Sequence, residues 1–174
     1  LLMTSQSEVG KITRLLLKHA REAFRSPEAI ASEWQALNFT GPPDFGRALE
    51  QYEAFLQLLR GTGCEITFLP KAEGVSLDSI YVRDASVICD RGVILCNMGK
   101  PQRAAEPAAQ EAVLRVLDCP IIGSIQPPGK LEGGDVVWLD ERTIAVGRGY
   151  RTNDSGIAQL RALLGDSIDE LITV

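Results

Sequence analysis

The chain has 174 residues, 45% hydrophobic and 24% charged, with a formal net charge of −5. That length builds one domain with a real core, and the composition is that of an ordinary globular protein. The acidic balance excludes nucleic acid as the expected partner. No stretch is long and apolar enough to span a membrane and the N-terminus carries no secretory pattern, so a cytoplasmic protein is expected.

Residues 9–17 (Val-Gly-Lys-Ile-Thr-Arg-Leu-Leu-Leu) predict a first strand entering the core. Residues 18–43 contain Ser26-Pro27 and Thr40-Gly41-Pro42-Pro43 and read as a long loop. It carries a short helix around 26–35 and has the length of a functional lid. Asp44 caps a helix running to Arg60, with Phe45, Leu49, Tyr52, Phe55, Leu56 and Leu59 on one face. Gly61 and Gly63 end it, and residues 64–69 form a buried strand. Short strands follow near 79–82, 86–89 and 93–97, the last two joined by a hairpin at Asp90-Arg91-Gly92. A helix spans about 104–117 and a strand 121–125, with a Pro/Gly turn at 126–130. A second hairpin joins 136–139 to 143–146 around Asp140-Glu141-Arg142. Asn153 or Asp154 then caps a helix to Leu164, and residues 169–174 form a last strand.

The order of elements repeats. Strand, hairpin, strand, arginine-bearing loop, helix and strand occur over about 79–125 and again over about 133–174. Asp84 precedes Arg103 by 19 residues and Glu132 precedes Arg151 by 19, so both pairs recur at a step of 48. Matched acids and arginines at one period point to repeated units facing a shared centre. Mixed strands with covering helices make the fold class α/β.

The acids carry the candidate chemistry. Asp84 closes an apolar strand, and Glu132 is followed by Gly133-Gly134, which lets the backbone turn tightly or approach a ligand closely. Two carboxylates from equivalent positions suit a guanidinium, whose five N–H donors lie in one plane. The competing reading of both is ordinary solvated acids at strand ends. Arg103 and Arg151 each sit in a loop before a helix, where an arginine can hold a ligand carboxylate through two hydrogen bonds. Either could equally be a surface arginine, and Arg148 competes with Arg151 for the role. The four cysteines (Cys64, Cys89, Cys96, Cys119) lack paired spacing and read as reduced, buried thiols. With one histidine, His19, no metal site is expected.

Three motifs together resemble a known superfamily. They are Asp78-Ser79-Ile80-Tyr81-Val82-Arg83-Asp84, Leu131-Glu132-Gly133-Gly134-Asp135 and Gly147-Arg148-Gly149-Tyr150-Arg151-Thr152-Asn153. They are similar to those of arginine deiminases, dimethylarginine dimethylaminohydrolases and related amidinotransferases. The opening Ser7-Glu8-Val9-Gly10-Lys11-Ile12 resembles the first strand of the same superfamily. The resemblance implies a pentein, an α/β propeller of five ββαβ units, of which residues 1–174 would be a single incomplete domain of about three units. It assigns Asp84 and Glu132 to the substrate guanidinium and Asp78 to its distal nitrogen. It assigns Arg103 and Arg151 to the carboxylate of an arginine-like substrate.

The implied reaction needs no metal or organic cofactor. A cysteine thiolate attacks the guanidinium carbon, and a histidine protonates the departing amine and then activates water. In an amidinotransferase an acceptor amine replaces the water. His19 and the four cysteines do not match that histidine and that nucleophile. The isolated chain is therefore expected to be inactive, completed by a further segment, a second chain or a homo-oligomer. A third possibility is a non-catalytic module that binds guanidino ligands. The opening Leu1-Leu2-Met3 fits a trimmed end.

Overall fold

The computed structural model describes residues 4–174, so Leu1-Leu2-Met3 lies outside the described residues. The chain divides into two compact units: residues 11–82, and residues 83–174 together with the N-terminal segment.

In the first unit, β1 (Arg14–Leu17) pairs in parallel with β2 (Glu65–Phe68), Arg14 opposite Glu65. The predicted strand at 9–17 is thus confined to its last four residues. The strand predicted at 64–69 is half-buried to exposed rather than buried, because it belongs to a two-stranded sheet. Within the expected loop at 18–43 the short helix predicted around 26–35 is α2 (Pro27–Glu33), and a further helix, α1 (Ala20–Phe24), precedes it. His19 caps α1 through its ring nitrogen, and Ser26 caps α2 with Pro27 in the first turn. These residues start helices rather than break a chain. Asp44 caps α3 (Phe45–Gly61), as its position before an apolar face predicts. The unit's core joins Ala20, Ala23, Phe24, Ile30, Leu37 and Leu77. The strand predicted near 79–82 is instead a pair of 3-10 turns, Leu77–Ile80 and Val82–Ala85.

The second unit contains the repeat. β3 (Ser86–Cys89) and β4 (Gly92–Leu95) form an antiparallel hairpin, α4 (Glu106–Val116) follows, and β5 (Ile121–Ser124) returns parallel to β4. β6 (Val136–Trp138), β7 (Thr143–Val146), α5 (Asp154–Leu164) and β8 (Glu170–Thr173) repeat that topology. The fold is mixed α/β with two ββαβ repeats. Alternating strand residues and one face of α5 meet in one core that includes Val87, Ile94, Val136, Ile144, Val146 and Leu160. A bridge between Asn97 and Leu131 ties the repeats together. Helices α4 and α5 begin 48 residues apart, the expected step. The acids keep that step only loosely in structure: Asp84 stands two residues before β3, and Glu132 four before β6.

The N-terminal segment straps the repeats. The Gln6 amide donates to the carbonyls of Glu141 and Ser167, and its Oε1 accepts from the Asp90 N–H at 3.1 Å. Glu8 pairs with Arg83 at 2.7 Å and accepts from the Trp138 N–H at 3.3 Å.

Candidate active site

The candidate residues of the second unit arrive on short turns beside the strands. Asp84 lies in the 3-10 turn Val82–Ala85 rather than at the end of a strand. Glu132 immediately precedes the turn Gly133–Asp135. These two turns touch so closely that no side chain fits between them. A Cβ on Gly133 would stand 2.2 Å from the Arg83 carbonyl oxygen, and one on Gly134 would stand 2.3 Å from Asp84 Oδ1. The Gly-Gly pair after Glu132 is therefore what lets the acids approach each other. Arg103 ends the turn Pro101–Arg103. Arg151 lies in the loop between β7 and α5, two residues before Asn153, whose side chain caps α5 and also accepts from the Lys130 N–H at 2.9 Å. That double anchor fixes the loop bearing Arg151 and Thr152. Gly99 packs against the Arg151 backbone, where a Cβ would come within 2.6 Å of Arg151 Cα.

The carboxylates of Asp84 and Glu132 converge on one guanidinium nitrogen, and it belongs to Arg103. Arg103 Nη1 is 2.6 Å from Asp84 Oδ2 and 3.6 Å from Glu132 Oε2. Glu106 holds the other edge, with Nε at 2.8 Å from Oε1 and Nη2 at 2.7 Å from Oε2. Glu132 Oε1 accepts from the Gly99 N–H at 3.1 Å. Its Oε2 lies 2.8 Å from Arg151 Nη1, yet no donor among the described residues is aligned to hydrogen-bond it. The Glu132 N–H donates to Thr152 Oγ1 at 3.2 Å, and the Thr152 hydroxyl donates to Asp135 at 2.6 Å. Ser86 donates to Gln110 of α4 at 2.8 Å.

Burial and charge set the protonation states. Removal from water pushes the Glu132 carboxyl above its usual range, with Asp84 adding to the effect. Arg151, the Gly99 N–H and Arg103 offset part of the shift. Burial works against the charge of Arg103, but Glu106 and Asp84 outweigh it and hold the guanidinium protonated. Burial first, and then the charges of Glu132, Asp84 and Asp135, push the Cys96 thiol far up, so it is a poor thiolate. No group of three or more His, Cys, Asp or Glu side chains among the described residues is placed to hold a metal.

Asp84, Glu132, Arg103 and Arg151 thus come together within one unit. Asp78 belongs to the other unit, buried in the turn Leu77–Ile80. Arg103 departs from its expected setting. It is 1% exposed, with all three guanidinium nitrogens engaged by acids, whereas a loop arginine open to a ligand carboxylate was expected. Arg151 keeps that openness at 38% side-chain exposure. Arg148 pairs with Asp154 at 3.0 Å, on the outside. His19 contacts Glu53 at 3.0 Å in the first unit. Cys89 and Cys96 are buried and Cys64 and Cys119 half-buried, all as free thiols. Gly99, Glu106, Asp135 and Thr152 were not singled out in the sequence. Glu106 had one signal, since it follows Arg103 by three residues as Asp154 follows Arg151.

The sequence model described as arginine deiminase matches residues 77–174. A dimethylarginine dimethylaminohydrolase of Streptomyces coelicolor is 39% identical over 119 residues, 68% of this chain and 45% of that protein. The same enzyme of Pseudomonas aeruginosa is 29% identical over 140 residues, 80% of this chain and 54% of that one. The P. aeruginosa structure with citrulline superposes at a TM-score of 0.74 with 26% identity, covering 95% of this chain and 62% of that chain. An amidinotransferase from Microseira wollei shares the fold at a TM-score of 0.69 and 13% identity, over 98% of this chain and 63% of that one. The chain spans about half the length of the curated relatives it matches. With more than half of the residues matched by one family, and that match containing both acids and both arginines, the chain belongs to the arginine deiminase family of the pentein superfamily.

Proposed function

We propose that this chain forms the guanidinium-binding face of a hydrolase that converts arginine or a methylarginine to a citrulline-type product. The observation that carries the reading is the convergence of Asp84 and Glu132 on a single guanidinium nitrogen. Glu132 also keeps a buried oxygen without an aligned donor. A second guanidinium offered to that oxygen would gain a charge-assisted hydrogen bond that the free protein lacks. Arg151, partly exposed and resting on Glu132, is placed to turn to the ligand's carboxylate as the ligand takes over the acid. Arg103 serves the ligand through the acids that it holds, and the family resemblance assigns Asp78 to the distal nitrogen. The citrulline-bound relative supports a ligand of this shape.

The two ββαβ repeats would be blades of an α/β propeller. Exposed Ile88, Val137 and Leu139 support burial of these repeats against a further segment or a second copy. In the complete enzyme a thiolate would add to the guanidinium carbon, an amine would leave with a proton from a histidine, and water would release the ureido product. None of Cys64, Cys89, Cys96, Cys119 or His19 is placed in the acid cluster in a form suited to those steps, so this chain alone binds without turnover.

Calorimetric titration with L-arginine, dimethylarginine and agmatine tests the binding, alongside an assay for ureido product with and without glycine as acceptor. The expected result is saturable binding of the first two, lost in Asp84→Ala and Glu132→Ala, and no product. Unchanged affinity in either variant would overturn the site. Citrulline formation by this chain would overturn the assignment of the nucleophile elsewhere, and amidino transfer to glycine would replace hydrolysis as the reaction.

A further inference from the structure

The least expected feature of the cluster is that its inner cation is the protein's own. Arg103 places one nitrogen 3.6 Å from Glu132 Oε2, just outside hydrogen-bonding range, while that oxygen has no aligned donor. A small rotation of the guanidinium would close the gap and satisfy the acid internally. An external guanidinium would then have to displace a buried cation as well as the partly exposed Arg151, which rests on the same oxygen at 2.8 Å. Asp84 holds Nη1 at 2.6 Å, and Glu106 resists the rotation from the other edge: it grips Nε and Nη2 in parallel at 2.8 and 2.7 Å, and a two-point hold fixes the plane of a guanidinium as one contact does not.

The repeat supplies an internal comparison. The counterpart of Glu106 in the second repeat is Asp154, three residues after Arg151. Asp154 has a 70% exposed side chain and pairs with Arg148, leaving Arg151 free to rest on Glu132. The architecture of the repeat therefore does not impose a buried Arg–acid clamp. The inward face of α4 is also unusual. It buries Glu106 and Gln110 along with Pro107 and Leu114, whereas α5 buries only Gly156, Ile157, Leu160 and Leu164. A buried acid is retained at a cost that an apolar residue would avoid, and here it faces the candidate site.

We propose that Glu106 is a positioning residue that withholds Arg103 from Glu132, keeping the acid available to an external guanidinium. The inference rests on the reading of Asp84 and Glu132 as a guanidinium clamp. It makes Arg103 a latent internal competitor and Glu106 its restraint.

The test uses this chain, L-arginine as probe, and Glu106→Gln. The variant keeps the size of the side chain but loses the charge that holds Arg103. Arginine affinity is expected to fall roughly tenfold or more. The carbon-13 titration of the Glu132 carboxyl in the ligand-free variant is expected to move to lower pH as Arg103 closes on it. Glu106→Asp, which restores the charge, recovers part of the affinity. Glu111→Gln, on the outer part of α4, changes neither reading. Wild-type protein supplies a measurement independent of the folding of any variant. On saturation with arginine, the Arg103 Nε–H signal stays in place and that of Arg151 shifts. Undiminished arginine binding by Glu106→Gln with an unmoved Glu132 titration overturns the inference alone. So does an Arg103 signal that shifts as far as that of Arg151. Absence of arginine binding by the wild-type chain overturns the clamp itself, and this inference with it.

Discussion

Glu132 combines almost complete burial with a negative charge, and its pH behaviour follows from that. Its carboxyl in the folded chain titrates above the usual range because burial outweighs Arg151, the Gly99 N–H and Arg103. A carboxyl raised on folding holds its proton longer in the folded than in the unfolded chain. Ligand-free stability is therefore lost as pH rises from the ordinary Glu range through the raised value. A guanidinium ligand binds the ionised form, so its affinity should change in the opposite sense, rising with pH across the same window. Calorimetry and thermal unfolding on one pH series would show the two trends crossing, and parallel trends would contradict the account. Arg151→Ala should move the window further up, since Arg151 is the largest influence opposing the shift. The same acids bear on Cys96. Its thiol is buried and surrounded by negative charge, so alkylation of native protein at mildly alkaline pH should mark Cys64 and Cys119 and spare Cys96. Peptide mass spectrometry reads this directly, and early labelling of Cys96 would show that its burial is not maintained in solution.

At the scale of elements, glycines decide where the turns can meet. Gly133→Ala would drive a Cβ into two backbone carbonyls, at 2.2 Å from Arg83 and 2.5 Å from Ser86. Gly156→Ala on α5 would meet the Lys130 carbonyl oxygen at 2.0 Å. Neither obstacle can rotate away, so each substitution should cost at least about 1–3 kcal/mol in denaturant unfolding. Gly134→Ala meets the Asp84 side chain instead, which can turn aside, so its cost should fall on arginine affinity more than on stability. The sequence made the second unit largely legible. Apolar alternation, hairpin turns and the cap Asn153 are local signals, and they marked the strands and helices within a residue or two. The first unit was less legible because its signals are ambiguous in one dimension. Helix α1 was missed because its cap is the ring nitrogen of His19, a residue that carries little capping signal in sequence. Ser79–Val82 looks like an apolar strand, yet the chain there winds into 3-10 turns that bury Leu77, Asp78 and Ser79. At the site, the acids and arginines were found by their spacing. Their pairing was not, because which arginine faces inward depends on Glu106 and Gly99, contacts made in three dimensions.

At the scale of the whole molecule, the hydrogen bonds of residues 4–8 run to both repeats rather than along a single element. Gln6 reaches the hairpin loop of the first repeat at Asp90, and the hairpin loop and last strand region of the second at Glu141 and Ser167. Thr4 adds a contact to Asp90 at 2.9 Å. Glu8 links Arg83, just before β3, to Trp138 in β6. The two repeats are thus joined both by the acid cluster with its glycines and by this strap. Gln6 is itself buried, so Gln6→Ala removes three hydrogen bonds and leaves an N–H and two carbonyls to find water. Its expected cost is about 1–3 kcal/mol, read as a lower midpoint in urea with little change in the slope. The Arg83 guanidinium holds the Glu8 carboxyl below its usual range. The contribution of that pair is therefore present above the ordinary Glu range and disappears as pH falls through the lowered value. A wild-type chain should lose stability on acidification by more than Glu8→Gln does, the two curves converging at low pH. If the strap only decorates the surface, both substitutions will leave the unfolding midpoint unchanged at neutral pH and the acid limbs will coincide.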